Sequence, residues 1–317
     1  MRFAVVLGLL CCATTLSHAQ RIPIILDTDI GDYIDDAVAL SFALNSPELD
    51  VRAITTVTDD VETRTRFAWK ELGIFGRRDI PLATGAREPL LDPVQFGRTS
   101  QFTVLTAGDT IPPAAHRRAV DLIVETLLAS PNKITLVPIG PLTNIALALK
   151  TEPRIKEKIE RIVMMGGAYQ TGKPEYNIQR DRIAAEFVFQ SGVPIIAVGL
   201  DVTLQCKLRP EDLNRLRLAE SPQAHFLLHL FELQKVDTRE DYPILHDPLA
   251  VAVVFRPDLI ETLTGHVSVS IADPATYGVT NFTPQDGVAA TTKVATKVKV
   301  AAFLDLLTQR VTRSALR

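Results

Sequence analysis

The stretch IPIILDTDIGDYIDDAVALSFAL, residues 22–44, changes character twice within 23 residues. Residues 22–26 form a short apolar run that reads as a buried strand, and it runs out into Asp27 and Asp29. Gly31 permits a sharp turn. Asp35 and Asp36 then open a segment, residues 37–44, that is apolar nearly all round, as a helix sandwiched inside a core would be. The alternation continues outward from there. Further strands are predicted over residues 51–57, 80–83, 134–139, 162–165 and 194–200. Val120, Ile123, Val124 and Leu127 fall at helical spacing, a helix is predicted to open at Pro141, and Val300, Phe303, Leu304, Leu307 and Val311 mark a closing helix. Strands and helices in this order predict an α/β fold: one domain with an open, mainly parallel, Rossmann-like sheet covered by helices on both faces. Two stretches, residues 87–113 and 235–243, have no regular period and read as loops over a site.

Composition narrows the class of partner. The 317 residues are 46% hydrophobic and 22% charged, a soluble globular profile, and the net charge of −3 would draw in neither nucleic acid nor an anionic membrane. Residues 1–19 read as a secretory signal peptide. Met1-Arg2 is a short positive start, residues 3–16 are apolar and uncharged, and Ser17-His18-Ala19 resembles a cleavage site before Gln20. The folded domain is therefore expected over residues 20–317, secreted or periplasmic and free of the membrane once the leader is removed. Cleavage would take Cys11 and Cys12 with it and leave Cys206 without an intramolecular disulfide partner, a small buried apolar residue in its plainest reading.

The acidic residues carry the chemistry. One Asp at a helix start is ordinary capping, but Asp27, Asp29, Asp35 and Asp36 converge at one strand end, where their repulsion calls for a bound cation. Oxygen ligands without neighbouring Cys or His favour calcium or magnesium over zinc. In open parallel sheets, ligands bind outside the carboxyl ends of the strands. Ile139-Gly140, Met165-Gly166-Gly167 and Leu200-Asp201 sit at such ends, and Glu175-Tyr176-Asn177 and His246-Asp247-Pro248 are further candidates for the same crevice.

Taken together, DTDIG…DDA at 27–37, ITTV at 54–57, VPIGPLTNIA at 137–146, MMGG at 164–167, EYN at 175–177 and HDP at 246–248 resemble the inosine–uridine nucleoside hydrolase family. The resemblance spans nearly the whole chain after the leader. It implies hydrolysis of the N-glycosidic bond of a ribonucleoside to base and ribose, and assembly as a homodimer or homotetramer. It implies that Asp29, Asp36 and Asp247, with the main-chain carbonyl of Ile139, bind Ca²⁺, and that Asp27 orients the cluster. Asp35 and Asn177 would hold the ribose 2′- and 3′-hydroxyls, Glu175 the 5′-hydroxyl, and Met165 would line the sugar pocket. Asp29 would take a proton from the attacking water, and His246, an imidazole, is the candidate acid for the departing base.

Four features depart from the family's usual pattern. Asp32-Tyr33-Ile34 makes the spacing between Gly31 and the Asp pair two residues longer. Asp60 stands where many members have a sugar-contacting Asn, keeping an acceptor but losing the amide donors. Gln95-Phe96-Gly97-Arg98 replaces a stretch that often carries a histidine, and IQRDRIAAE follows Glu175-Tyr176-Asn177 without the usual Pro and Glu. Tyr169, Phe231 and Tyr242 could stack on a base or simply pack. His225 and His229, four apart, read as a solvated helix face, and Asp201 as a helix cap or a supporting bond. Two other readings use the same residues: an exported nucleoside-binding protein without turnover, and a haloacid-dehalogenase-like phosphohydrolase. The latter would want Thr or Val where Gly31 stands.

Overall fold

The computed structural model describes residues 21–92, 99–285 and 291–314; the leader and the segment Gln95-Phe96-Gly97-Arg98 fall outside them. The chain enters as β1 (Ile22–Thr28), turns into α1 (Ile34–Leu44) and returns as β2 (Leu49–Thr56). Helix α2 (Val61–Ile74) leads to the two-residue β3 (Leu82–Ala83). Next come α3 (Ala119–Ala129), β4 (Ile134–Pro138), α4 (Thr143–Thr151) and β5 (Ile159–Met165). The short α5 (Tyr176–Arg180), α6 (Arg182–Phe189) and β6 (Ile195–Val198) follow, then four helices: α7 (Leu200–Thr203), α8 (Pro210–Leu218), α9 (Pro222–Thr238) and α10 (His246–Phe255). The chain ends in β7 (Ile260–Val269), β8 (Thr280–Pro284), β9 (Thr292–Val298) and α11 (Val300–Val311).

The nine strands form one sheet in the order β3-β2-β1-β4-β5-β6-β9-β7-β8. Every pairing from β3 to β9 is parallel, and β7 runs antiparallel to both β9 and β8. Because successive strand side chains point to opposite faces, the apolar strands divide their residues between two cores. Ile24, Leu26, Val137, Val163 and Met165 join α1, α2, α8, α9, α10 and α11 on one face. Ile25, Leu136, Ile162 and Met164 join α3, α4 and α6 on the other. Helix α1 lies among α9, α10 and α11, which explains why all eleven of its residues are buried.

Strand order places the site. From β1 the chain builds outward through β2 to β3, then crosses back to lay β4 on the other side of β1. The crevice between the carboxyl ends of β1 and β4 is thus the topological switch point, where open α/β sheets bind ligands. Just beyond the ladder, Ile139 N donates to Asp27 O at 2.8 Å. Gly140 lies so close that a Cβ on it would sit 2.7 Å from Asp29 Oδ1, so the backbone approach requires glycine.

Several boundaries differ from the sequence expectation. The third strand shrinks to two residues because Pro81, which has no N–H, contributes only its carbonyl to Ile54 N. Helix α4 starts at Thr143 instead of Pro141, and Leu200 opens α7 instead of ending a strand. Residues 235–238 close α9, leaving only 239–243 irregular. The antiparallel pair β7 and β8 and the strand β9 were not anticipated at all.

One buried acid on this scaffold gives a test of the packing. Glu71 of α2 is fully buried; Ser41 of α1 donates to its Oε1 at 2.8 Å, and Oε2 finds no hydrogen-bond partner among the described residues. Burial therefore pushes its carboxyl well above the ordinary 4.5. The folded chain holds this proton more tightly than the unfolded chain, so the group's contribution is fully present below about pH 4.5 and is lost as pH rises above it. Glu71→Gln should match the wild-type melting temperature near pH 4 and exceed it at neutral pH by roughly 2–4 °C, the gap widening with pH. A gap that stays flat across the titration would show that the carboxylate is ionised in place.

Candidate active site

A cavity of about 450 Å³ opens at the switch point. Asp29, Asp35, Asp36 and Asp247 line it together with Ile139, Met165, Glu175, Asn177 and His246, so nine of the residues singled out as ligands, sugar contacts or acid–base groups share one cavity. Asp27 and Asp60 do not line it.

Each carboxylate is placed by a specific piece of backbone. Asp29 follows β1 directly, and Asp35 and Asp36 occupy the first turn of α1, where the helix dipole favours negative charge. Asp247 stands in the first turn of α10. The two helix starts face each other: Asp35 Oδ2 accepts from the backbone N–H groups of His246 at 3.1 Å and Asp247 at 3.3 Å. Thr28 Oγ1 donates to Asp36 Oδ1 at 2.5 Å while accepting from Ile30 N, which locks the turn between β1 and α1. Ligand atoms of Asp35, Asp36 and Asp247 all lie within 4.8 Å of one another.

Such crowding is electrostatically expensive. Burial, then Asp29 and Asp35, push the Asp36 carboxyl well above the usual carboxylate range. Burial, then Asp35, Asp36 and Asp29, do the same to Asp247. Burial raises Asp29 to about 7, opposed chiefly by Arg64 and reinforced by Asp32 and Asp35. A divalent cation would reverse these shifts by neutralising the cluster. The donors suit a hard ion: carboxylate oxygens plus the Ile139 carbonyl at the same wall, with Cys206 outside the lining. The tightest trio contains Asp35 where the resemblance implied Asp29, although all four carboxylates face the same space.

The remaining polar groups are held by main chain. Glu175 caps α5, with Oε1 accepting from Asn177 N and Oε2 from Gly167 N and Ile178 N. Asn177 Nδ2 donates to the carbonyls of Ile139 at 2.8 Å and Met165 at 3.2 Å, which ties the ends of β4 and β5 together. His246 Nδ1 lies 2.8 Å from Thr203 Oγ1, so Nε2 is the ring nitrogen left for a ligand. Asp27 sits beneath the floor. Its Oδ1 accepts from Thr55 Oγ1 and Asn144 Nδ2, and burial raises its carboxyl to about 7. Asp60, by contrast, caps α2: its carboxylate accepts from Thr63 N at 3.2 Å and Thr63 Oγ1 at 2.7 Å.

The packing candidates resolve in the same way. Tyr169 is buried, with its hydroxyl on Gly166 O and its ring edge-on to Phe282, and Phe231 is buried in the core. His225 and His229 are exposed on α9. Asp201 accepts from Tyr169 N and Gln170 N, holding the loop after β5.

Arg64 escaped the sequence reading. This α2 residue is one of the largest fully buried side chains. Its Nη1 donates to the carbonyls of Asp29 and Ile30, Nε to Thr58 O at 2.9 Å, and Nη2 to Asp32 Oδ2 at 2.6 Å. Thr58 and Asp59 both have positive φ, 63° and 57°. For a β-branched residue such as Thr58 that backbone is strained, and the Arg64 bond helps to hold it.

The sequence pattern of the "Inosine-uridine preferring nucleoside hydrolase" family matches residues 24–305. The chain is 35% identical over 309 residues to the "pyrimidine-specific ribonucleoside hydrolase RihA" of Klebsiella pneumoniae, covering 92% of this chain and 99% of that protein. Among solved structures, a plant nucleoside hydrolase superposes with a TM-score of 0.83 at 31% identity, covering 92% of this chain and 99% of its own. A purine-preferring ribonucleoside hydrolase from Gardnerella vaginalis gives 0.80 at 31% identity, with 92% and 98% covered.

Replacing Arg64 should expose its role in holding the acidic turn. Arg64→Met would leave three buried carbonyls without their donor, and a loss on the order of 3 kcal/mol in urea unfolding is expected. A loss below about 1 kcal/mol, the range of exposed ion pairs, would mean that the turn supports itself.

Proposed function

Because the chain belongs to the inosine-uridine preferring nucleoside hydrolase family and is a ribonucleoside hydrolase, we propose that it works with a calcium ion held by the carboxylates of Asp29, Asp36 and Asp247 and the carbonyl of Ile139. The observation that carries this reading is the convergence of four buried carboxylates on one cavity at the switch point of the sheet. When bound, calcium supplies a positive, multiply coordinating centre that grips vicinal ribose hydroxyls and makes a water more acidic.

The chain's own residues supply the rest. Asp35 and Asn177 hold the 2′- and 3′-hydroxyls, Glu175 holds the 5′-hydroxyl, and Met165 packs against the sugar. The carbonyl and amide bonds that pin Glu175 and Asn177 make these groups rigid before the substrate arrives. Asp29 accepts the proton of the water whose oxygen bonds to C1′, while the C1′–N bond breaks and its electron pair leaves with the base. Positive charge building on the ribose is stabilised by the surrounding carboxylates. His246 donates a proton from Nε2 to the departing base, its ring orientation set by Thr203.

Dialysed protein should release ribose from uridine or inosine only after calcium is restored, and a chelator should abolish release. Asp247→Asn should reduce turnover by at least about a hundredfold. His246→Ala should slow a nucleoside far more than a riboside whose leaving group departs without protonation, such as p-nitrophenyl riboside. Full activity in chelator would refute the calcium site. Equal slowing of both substrates by His246→Ala would refute the acid.

A further inference from the structure

Relatives with opposite base preferences match this chain about equally, so the shared scaffold does not set the preference; the pocket walls must. Apart from its rings, the polar part of the lining is made of carboxylates and an amide, which suit sugar hydroxyls and a cation. A flat base requires an aromatic or apolar face, and Tyr33, Tyr176 and His246 are the rings in the lining. Tyr176 is 47% exposed. Tyr33 is differently held. One side of it packs on the core beneath, and its hydroxyl donates to Glu240 Oε2 at 2.8 Å and accepts from Ile244 N at 3.3 Å. Its ring lies 6.5 Å from the His246 ring, tilted by 58°, within the range at which aromatic rings interact.

We propose that Tyr33 is the ring against which the nucleobase packs, a specificity-determining residue fixed by its hydroxyl bonds to the segment that follows α9. The inference rests on the function proposed above, in which His246 faces the leaving base. Tyr33 belongs to the longer turn Asp32-Tyr33-Ile34, so the two additional residues bring a ring to the pocket. Residues 243–245 are in turn anchored by Leu208 N to Pro243 O and Leu245 N to Cys206 O, both 2.9 Å, so the hydroxyl bonds to a fixed partner. A side chain with both ends restrained loses little rotamer freedom when a base arrives.

The test is steady-state kinetics on uridine and inosine for wild type, Tyr33→Leu and Tyr33→Phe, with free ribose as a competitive inhibitor. Tyr33→Leu keeps apolar bulk against the core and removes the ring. It should raise KM for at least one nucleoside roughly tenfold or more, because stacking on a base is worth about one such factor. It should change kcat less than KM and leave the inhibition constant of ribose within about twofold, since ribose has no base. Tyr33→Phe restores the ring and should recover most of the lost KM. Unchanged KM in Tyr33→Leu, or a ribose inhibition constant that rises in step with KM, would overturn the proposal. Activity that survives a chelator would instead sink the calcium reading and would not affect this comparison.

Discussion

Holding four carboxylates together in a buried crevice is the constraint from which the rest of this structure follows. Asp29, Asp35, Asp36 and Asp247 repel one another, and burial strips away the water that would otherwise screen them. The fold meets this with fixed dipoles and with the buried guanidinium of Arg64. Two helices, α1 and α10, start at the cluster and direct their N-terminal dipoles at it. Asp35 is satisfied by amides at the start of α10, and Arg64 places a guanidinium behind the turn, where its charge is felt by Asp29 and Asp36. None of these removes the repulsion, but each offsets part of it.

The sheet makes this possible by geometry. The strand order reverses direction between β1 and β4, and the cavity lies outside the carboxyl ends of these strands, as in other open parallel sheets. The close approach at Gly140 brings the end of β4 against Asp29, and Asn177 then links the ends of β4 and β5 through their carbonyls. The site is therefore assembled from β1, β4, β5, α1, α5 and α10, elements far apart in sequence. Loss of register in any one would move several polar groups together.

Much of this was legible in the sequence, and the exceptions have physical causes. The strand at 22–26, the all-apolar helix and the acidic turn are readable because burial on both faces leaves no ambiguity of period. The motifs at 175–177 and 246–248 were readable as short polar groups at element starts. The antiparallel edge was not. Residues 260–269 are exposed at Glu261, Thr262 and Leu263, and a register shift between Glu261 and Thr262 breaks the alternation, which is clean only from Gly265 onward. Asp60 followed three residues later by Thr63 is an N-cap pattern, so its capping role could have been read there. Arg64 had no such signal. An arginine within VETRTRFAWK looks like solvent-facing surface, and its partners are mostly main-chain carbonyls, which are the same at every position in a sequence.

The turn from Gly31 to Ile34 shapes both sides of the site. Gly31, at φ 112°, reverses the chain where any Cβ would strike the Phe102 ring. Asp32 then turns inward to Arg64, and Tyr33 turns toward the cavity and the 240–244 segment. Adjacent residues in an extended backbone point to opposite sides, and Tyr33 has the extended conformation of an N-cap, φ −118° and ψ 157°. Both residues border the cavity, Asp32 bonded to the buried guanidinium and Tyr33 to the 240–244 segment. The same segment that positions the acidic cluster thus also shapes one wall of the cavity, so the carboxylates and the Tyr33 side of the pocket are not independent.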